Sequence, residues 1–146
     1  MLNKKKKKYP SKKNTASVVK KSKHIFTILL VEDDDFLLNM YRVKLELEDY
    51  KVLTASNGEA GLALIKDKKP DLVLLDIILP KLNGFEVLKV TQQDKNIKNI
   101  PVIILSNLGQ KEDIKKGLKL GARDYLIKAH FLPSEVIEKI KKILKF

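Results

Sequence analysis

The stretch from residue 72 to residue 84 constrains the fold of this chain more than any other. Its first four residues are all apolar, too few for a helix, and they predict a strand that is buried on both faces and ends at Asp76. Three residues that favour a turn follow within eight positions: Pro80, Asn83 and Gly84. Asp76 is therefore expected where a strand opens into a loop. A lone aspartate here can also be a helix cap or a turn residue, and that alternative stays open at this point.

Short apolar runs alternate with amphipathic helical patterns from residue 25 onward. Strands are predicted at residues 25–31, 51–55, 72–75, 101–105 and 125–127. The strict alternation predicts an α/β domain with a doubly wound, five-stranded parallel sheet and helices on both faces, because right-handed crossovers lay each helix across the sheet.

A helix is predicted after each strand. The first should bury the face formed by four apolar residues: Phe36, Met40, Val43 and Leu47. The second begins with Asn57 as its N-cap, the third covers about residues 83–92, and the fourth covers residues 111–120 and ends at Gly121. The last helix begins near Pro133 and has one apolar face: Val136, Ile137, Ile140, Ile143 and Leu144.

The positive charge of the chain is concentrated at its start. Residues 1–24 contain ten lysines and no acidic residue, so of the net charge of +12 the remaining 122 residues carry only +2. Residues 1–23 are predicted to be a disordered, lysine-rich arm, and residues 24–146 the folded domain. The arm is either a solubilising tail or an electrostatic contact with nucleic acid or anionic membrane, and both interpretations stay open.

The composition excludes several classes of protein. The chain has no Cys, which rules out disulfides and thiolate metal sites and favours a cytoplasmic location. The longest apolar run, residues 25–31, is too short to cross a bilayer and leads directly into four acidic residues. It is therefore predicted to be a strand and neither an anchor nor a signal peptide.

Polar side chains that suit phosphoryl chemistry follow four of the five predicted strands. They are Glu32 and Asp33 after the first, Asp76 after the third, Ser106 after the fourth and Lys128 after the fifth. The carboxyl ends of parallel strands meet at one edge of a sheet, where ligands bind. Carboxylates that close together repel one another unless a cation such as Mg²⁺ joins them. An ammonium and a hydroxyl beside them would suit an incoming phosphoryl group, with Asp76 as the nucleophile.

Residues 25–146 resemble a receiver domain of the two-component response regulators, of the single-domain type. The resemblance rests on four segments: Val31-Glu32-Asp33, the phospho-acceptor loop at residues 74–84, the switch hydroxyl strand at residues 101–106, and residues 121–128 with the switch aromatic and the lysine. It implies a flavodoxin-like topology.

The resemblance also implies how each residue acts. Asp33 and Asp76 would bind Mg²⁺ directly, Glu32 would bind it through water, and the backbone carbonyl of Ile78 would supply another oxygen. Asp76 would accept a phosphoryl group from a histidine kinase, while Lys128 would neutralise charge.

The same resemblance implies a route from the site to a partner. Ser106 would swing toward the phosphoryl group and Tyr125 would follow inward. This movement would alter the face made by the fourth helix, the fifth strand and the fifth helix, where an unknown downstream protein would dock.

The chain departs from the family pattern at a few positions. Ala129 stands where Pro is usual, often with a cis bond, and since a cis bond before a non-proline residue costs about 3 kcal/mol, both geometries stay open here. Asn107 stands where Ala or Gly is usual, and Asn83 where Asp is commoner. Two acids without a matching role, Asp34 and Asp35, are interpreted as helix N-terminal residues favoured by the helix dipole. His130 is interpreted as a loop residue.

Three functions are compatible with these residues. The first is a phosphorylation-dependent switch that catalyses only its own phosphorylation and dephosphorylation. Because no output domain is expected after residue 146, this switch is expected to act through a partner. The second is an adaptor that binds nucleic acid or membrane through the arm without phosphorylation. The third is an aspartyl-phosphate hydrolase, which Ile78 disfavours because such enzymes typically place a second acid there. Ile78 and Leu108 are predicted to flank the path of water to the phosphorus atom and to slow hydrolysis.

Overall fold

The computed structural model describes residues 24–145, so the predicted arm at residues 1–23 lies outside the described residues. Five parallel strands form one sheet: β1 (Thr27–Val31), β2 (Lys51–Ala55), β3 (Leu72–Leu75), β4 (Val102–Ser106) and β5 (Asp124–Ile127). Their order across the sheet is β2-β1-β3-β4-β5. This is the flavodoxin-like order of a doubly wound sheet, and the predicted fold class is confirmed.

Five α-helices connect and follow these strands. They are α1 (Asp35–Leu47), α2 (Gly58–Lys68), α3 (Gly84–Gln93), α4 (Lys111–Lys119) and α5 (Pro133–Leu144), and a short 3₁₀ helix (Lys128–His130) follows β5. Asn57 caps α2 as predicted, and Gly121 ends the α4 segment with a φ of 112°. None of the helices within residues 24–145 has the length and apolarity needed to cross a bilayer.

Both faces of the sheet are covered, which explains why the sequences of the inner strands β1, β3 and β4 are almost entirely apolar. On one face, α1 and α5 pack against the side chains that include Ile28 and Leu30 of β1. On the other, α2, α3 and α4 pack against the side chains that include Leu29 and Val31. Strand β1 starts at Thr27, later than predicted, because Ile25 precedes the sheet and is 60% exposed.

The buried face of α1 differs from the prediction. Phe36 and Leu47 are 77% and 76% exposed and Val43 is also exposed, so the predicted face is wrong. The residues that α1 buries are Tyr41 and Leu45. Helix α1 carries two apolar stripes, and periodicity alone does not indicate which of them faces the sheet.

The sheet reverses its direction of winding between β1 and β3. These strands are neighbours, yet β1 leads into α1 on one face and β3 leads toward α3 on the other. The connections therefore diverge and leave a crevice at the carboxyl ends of the two strands, which is where open α/β sheets bind ligands.

Candidate functional site

Three carboxylates converge in the crevice between β1 and β3. Glu32 and Asp33 follow β1, and Asp76 follows β3, with its N–H donating to the carbonyl of Val31 at 3.0 Å. One oxygen of each carboxylate lies within 4.8 Å of the others. Glu32 and Asp76 are buried whereas Asp33 is exposed, and burial raises the pKa of Glu32.

The loop after Asp76 folds back over its own backbone. The N–H of Gly84 donates to the carbonyl of Ile77 at 2.8 Å, and a Cβ at Gly84 would stand 2.2 Å from the carbonyl oxygen of Asp76. Only glycine therefore permits this close approach. Asn83 forms a capping box with Glu86, so it serves as the N-cap of α3 just as an aspartate would.

The start of α1 fixes the carboxylate of Glu32. Asp34 is the N-cap of α1, and its Oδ1 accepts hydrogen bonds from the N–H groups of Phe36 and Leu37 at 2.9 and 3.1 Å. The N–H of Asp34 itself donates to Oε2 of Glu32 at 3.0 Å. The prediction that Asp34 and Asp35 are helix N-terminal acids is confirmed.

Lys128, which follows β5, forms ion pairs with both buried carboxylates. Its Nζ lies 2.8 Å from Oδ2 of Asp76 and 2.7 Å from Oε1 of Glu32. Burial lowers the pKa of Lys128, but hydrogen bonds to both carboxylates raise it by more, so its pKa is raised overall. With Ala129 next to it, Lys128 still reaches Asp76, and His130 is exposed.

A chain of hydrogen bonds leads from the crevice toward α4 and β5. Ser106 is completely buried, and its Oγ accepts from the N–H of Leu108 at 3.2 Å. The carbonyl of Leu108 accepts in turn from the hydroxyl of Tyr125. Burial, followed by the charges of Asp113 and Asp76, raises the pKa of Tyr125 to about 12. The backbone of one residue thus connects the two predicted switch side chains.

The converging side chains line an open pocket of ≈ 380 Å³. Its walls are Glu32, Asp33, Asp34, Leu37, Asp76, Ile78, Ser106, Asn107, Leu108 and Lys128. All predicted site residues except Tyr125 are therefore brought together, and Tyr125 lies behind Leu108. The hard oxygen ligands and the absence of His or Cys from this cluster fit Mg²⁺, which would offset the repulsion between the carboxylates.

The family described as "Response regulator receiver domain" matches residues 28–141. The chain belongs to this family. Two curated relatives are the alkaline phosphatase synthesis transcriptional regulatory protein PhoP of Bacillus subtilis, 41% identical over 118 residues, and the phosphate regulon transcriptional regulatory protein PhoB of Pseudomonas aeruginosa, 38% identical over 119 residues. The matches cover 81% and 82% of this chain but 48% and 52% of the relatives, so the chain spans about half of their length.

A solved structure shows the same receiver fold. It is the CheY-like response regulator receiver domain protein from Methanospirillum hungatei, with a TM-score of 0.77 and 32% sequence identity. The match covers 83% of this chain and 94% of that chain. The predicted family is confirmed, and the protein is a receiver domain of the response regulator type.

One residue next to the receiver site was not predicted from the sequence. Tyr41 is buried under the acidic cluster, but no motif marks it. A helical wheel with Leu45 facing the sheet would have placed it inward, since the two residues are one turn apart on α1.

Proposed function

We propose that this receiver domain is a phosphorylation-dependent signalling switch in which Asp76 accepts a phosphoryl group from a histidine kinase with Mg²⁺. The observation that carries the proposal is the pairing of the Lys128 ammonium with Asp76 at 2.8 Å at the wall of an open, acid-lined pocket. A structural aspartate at a helix cap would not need a buried ammonium partner. The pocket also leaves room for the phosphoryl donor.

The transfer forms a bond between a carboxylate oxygen of Asp76 and phosphorus, while the bond from phosphorus to the imidazole nitrogen of the kinase breaks. Glu32, Asp33 and Asp76, with the backbone carbonyl of Ile78, would hold the ion, which neutralises charge on the phosphoryl oxygens when it is bound. Lys128 provides a second positive charge at the same place. The domain catalyses this reaction on itself alone.

Phosphorylation would reach a partner through the hydrogen-bonded chain at Leu108. Ser106 accepts a hydrogen bond from Leu108 and keeps its own proton to donate to a phosphoryl oxygen. A movement of Ser106 would shift Leu108, whose carbonyl holds Tyr125. The face formed by α4, β5 and α5, which Tyr125 helps to pack, would be the surface that an unknown downstream protein recognises.

Exposed apolar side chains near the pocket support docking of a protein donor. Ile78 at the mouth of the pocket is 62% exposed. Phe36 in the first turn of α1 and Leu132 just before α5 are also exposed. Exposed apolar groups around a pocket suit a surface that a protein partner covers. A kinase that covers them would also exclude water from the reacting groups.

A second function is proposed for the arm at residues 1–23, on the basis of its ten lysines. Lysines that contact the phosphates of a nucleic acid release the bound counterions, and this release would favour binding of the arm to nucleic acid. Electrostatic attraction between the lysines and anionic lipid would favour binding to a membrane. This adaptor function would not need phosphorylation.

Intact mass spectrometry of the full-length protein tests the main proposal. After incubation with Mg²⁺ and acetyl phosphate, the wild type should gain one phosphoryl group and Asp76→Asn should gain none. Asp67→Asn, at an exposed position on α2, is the matched control and should be labelled like the wild type. An unlabelled wild type, or a labelled Asp76→Asn variant, would contradict the assignment.

A further inference from the structure

Tyr41 of α1 lies directly beneath the phosphorylation site. It is 8% exposed and lines a void of ≈ 10 Å³ together with Glu32 and Asp76. It also lines an open pocket of ≈ 370 Å³ that Lys128 and Ala129 share. Tyr41 therefore lines cavities that it shares with the acidic cluster and with the lysine.

The hydroxyl of Tyr41 makes no hydrogen bond within residues 24–145. Burial raises the pKa of Tyr41, the charge of Lys128 lowers it, and the charge of Glu32 raises it. The hydroxyl of Tyr41 is therefore within electrostatic range of both side chains. A buried hydroxyl without a partner destabilises a protein, and phenylalanine would fill nearly the same volume without that cost. The hydroxyl is consequently expected to find a partner in another state of the site.

Lys128 is the group whose movement would create that partner. It donates to Glu32 at 2.7 Å and to Asp76 at 2.8 Å. The ammonium of Lys128 would be repelled by a divalent cation held by the acidic side chains. Once Lys128 withdraws, Oε1 of Glu32 becomes a buried carboxylate oxygen that has lost its donor.

We propose that Tyr41 is a positioning residue whose hydroxyl donates to Glu32 when a bound cation displaces Lys128 from Glu32. The contact would be direct or would pass through one water, for which the void has about enough room. Tyr41 would thus stabilise the cation-bound site relative to the site held by Lys128. This inference rests on the proposed function, because it assumes that the acidic cluster binds Mg²⁺.

The test compares Tyr41→Phe with Tyr50→Phe in the full-length protein. Tyr50 is a matched control because burial also raises its pKa, but its charged neighbours are Lys141, Glu48 and Glu138 and not the site. Two quantities are measured for each variant: the melting temperature without Mg²⁺, and the dissociation constant for Mg²⁺ alone by calorimetric titration.

Tyr41→Phe should keep or raise the melting temperature, since it removes an unpaired buried hydroxyl. It should also weaken Mg²⁺ binding by roughly tenfold, the effect of losing one hydrogen bond to a charged group. Tyr50→Phe should bind Mg²⁺ like the wild type. In wild-type protein labelled with ¹³C on the tyrosine rings, the Tyr41 signal should shift as Mg²⁺ is added.

Unchanged Mg²⁺ affinity in Tyr41→Phe, or equal losses of affinity in both variants, would overturn the assignment. The titration contains no phosphodonor, so it remains informative if Asp76 proves not to be phosphorylated. In that case a tenfold loss at Tyr41 would still establish its contact with the cation site.

Discussion

Lys128 determines the electrostatic state of the receiver site. Its ammonium satisfies two buried carboxylates at once, those of Glu32 and Asp76. Any phosphoryl group that attaches to Asp76 must compete for this lysine, and any cation must displace it. The same side chain is therefore expected to link cation binding and phosphorylation to the hydrogen bonding of Glu32.

Ile78 and Leu108 are expected to set the lifetime of the aspartyl phosphate. Both line the pocket, and neither side chain can hold a water in position. Wild-type phosphoprotein should therefore lose its label slowly. Replacing Ile78 with Asn and Leu108 with Glu should speed the loss by about tenfold when both changes are present, since each adds a group that orients water.

The measurement is a time course of the intact mass after the donor is removed in excess Mg²⁺. Leu47→Asn, an equally polar change at an exposed leucine of α1, is the control and should decay like the wild type. Equal decay in the wild type and the double variant would show that access of water does not limit hydrolysis here.

Helix α4 packs closely against β5 because Gly117 has no side chain. A Cβ at Gly117 would stand 2.7 Å from Cδ1 of Ile104 and 2.8 Å from Cδ2 of Tyr125. Real Cβ atoms do not approach other carbon atoms so closely. If a Cβ is added at position 117, either the helix or the ring of Tyr125 must therefore move. Gly117 thus permits the inward position of Tyr125 in which its hydroxyl reaches Leu108.

Gly117→Ala should therefore displace Tyr125. Better helix propensity would favour the alanine by about 1 kcal/mol, but overpacking typically costs about 1–3 kcal/mol, so a small net loss of stability is expected. Because Tyr125 would become less buried, its pKa should fall from about 12 toward the ordinary value. Denaturant unfolding and NMR titration of the ring measure the two effects. Lys119→Ala on the exposed side of α4 is the control, and an unchanged Tyr125 pKa in Gly117→Ala would refute the argument.

The sequence predicted the elements far better than the faces they bury. Apolar runs located the strands, most clearly β1, β3 and β4, because a strand that is covered on both sides is apolar at almost every position. Helix α1 was oriented wrongly because Phe36 and Leu47 form a second apolar stripe that the structure leaves exposed. The role of Gly117 could not be predicted, because it depends on where the ring of Tyr125 packs.

At the scale of the whole molecule, the topology made the site predictable. The carboxyl ends of parallel strands must lie at one edge, so residues after four strands were expected together, and the structure brings them together. The pairing of Lys128 with Glu32 and the link through Leu108 were not predictable, since they depend on side-chain and loop geometry that no local pattern encodes.

The arm at residues 1–23 is expected to act independently of the receiver fold. Deleting it should leave the melting temperature and the labelling of Asp76 almost unchanged. It should remove any salt-sensitive binding to nucleic acid or to anionic vesicles, because such binding depends on the lysines. Filter binding and vesicle sedimentation at low and high salt measure this. Full-length protein that binds neither at low salt would leave the arm as a solubilising tail.

Phosphorylation of Asp76 is expected to change the face formed by α4, β5 and α5 through Ser106, Leu108 and Tyr125. Amide hydrogen exchange of the full-length protein, with and without acetyl phosphate in Mg²⁺, tests it most directly. In the wild type, we expect phosphorylation to alter the exchange from the Leu108 loop through α4 and β5. We expect no change in Asp76→Asn and a smaller change in Ser106→Ala. A fully phosphorylated wild type whose exchange in these segments is unchanged would contradict the claim.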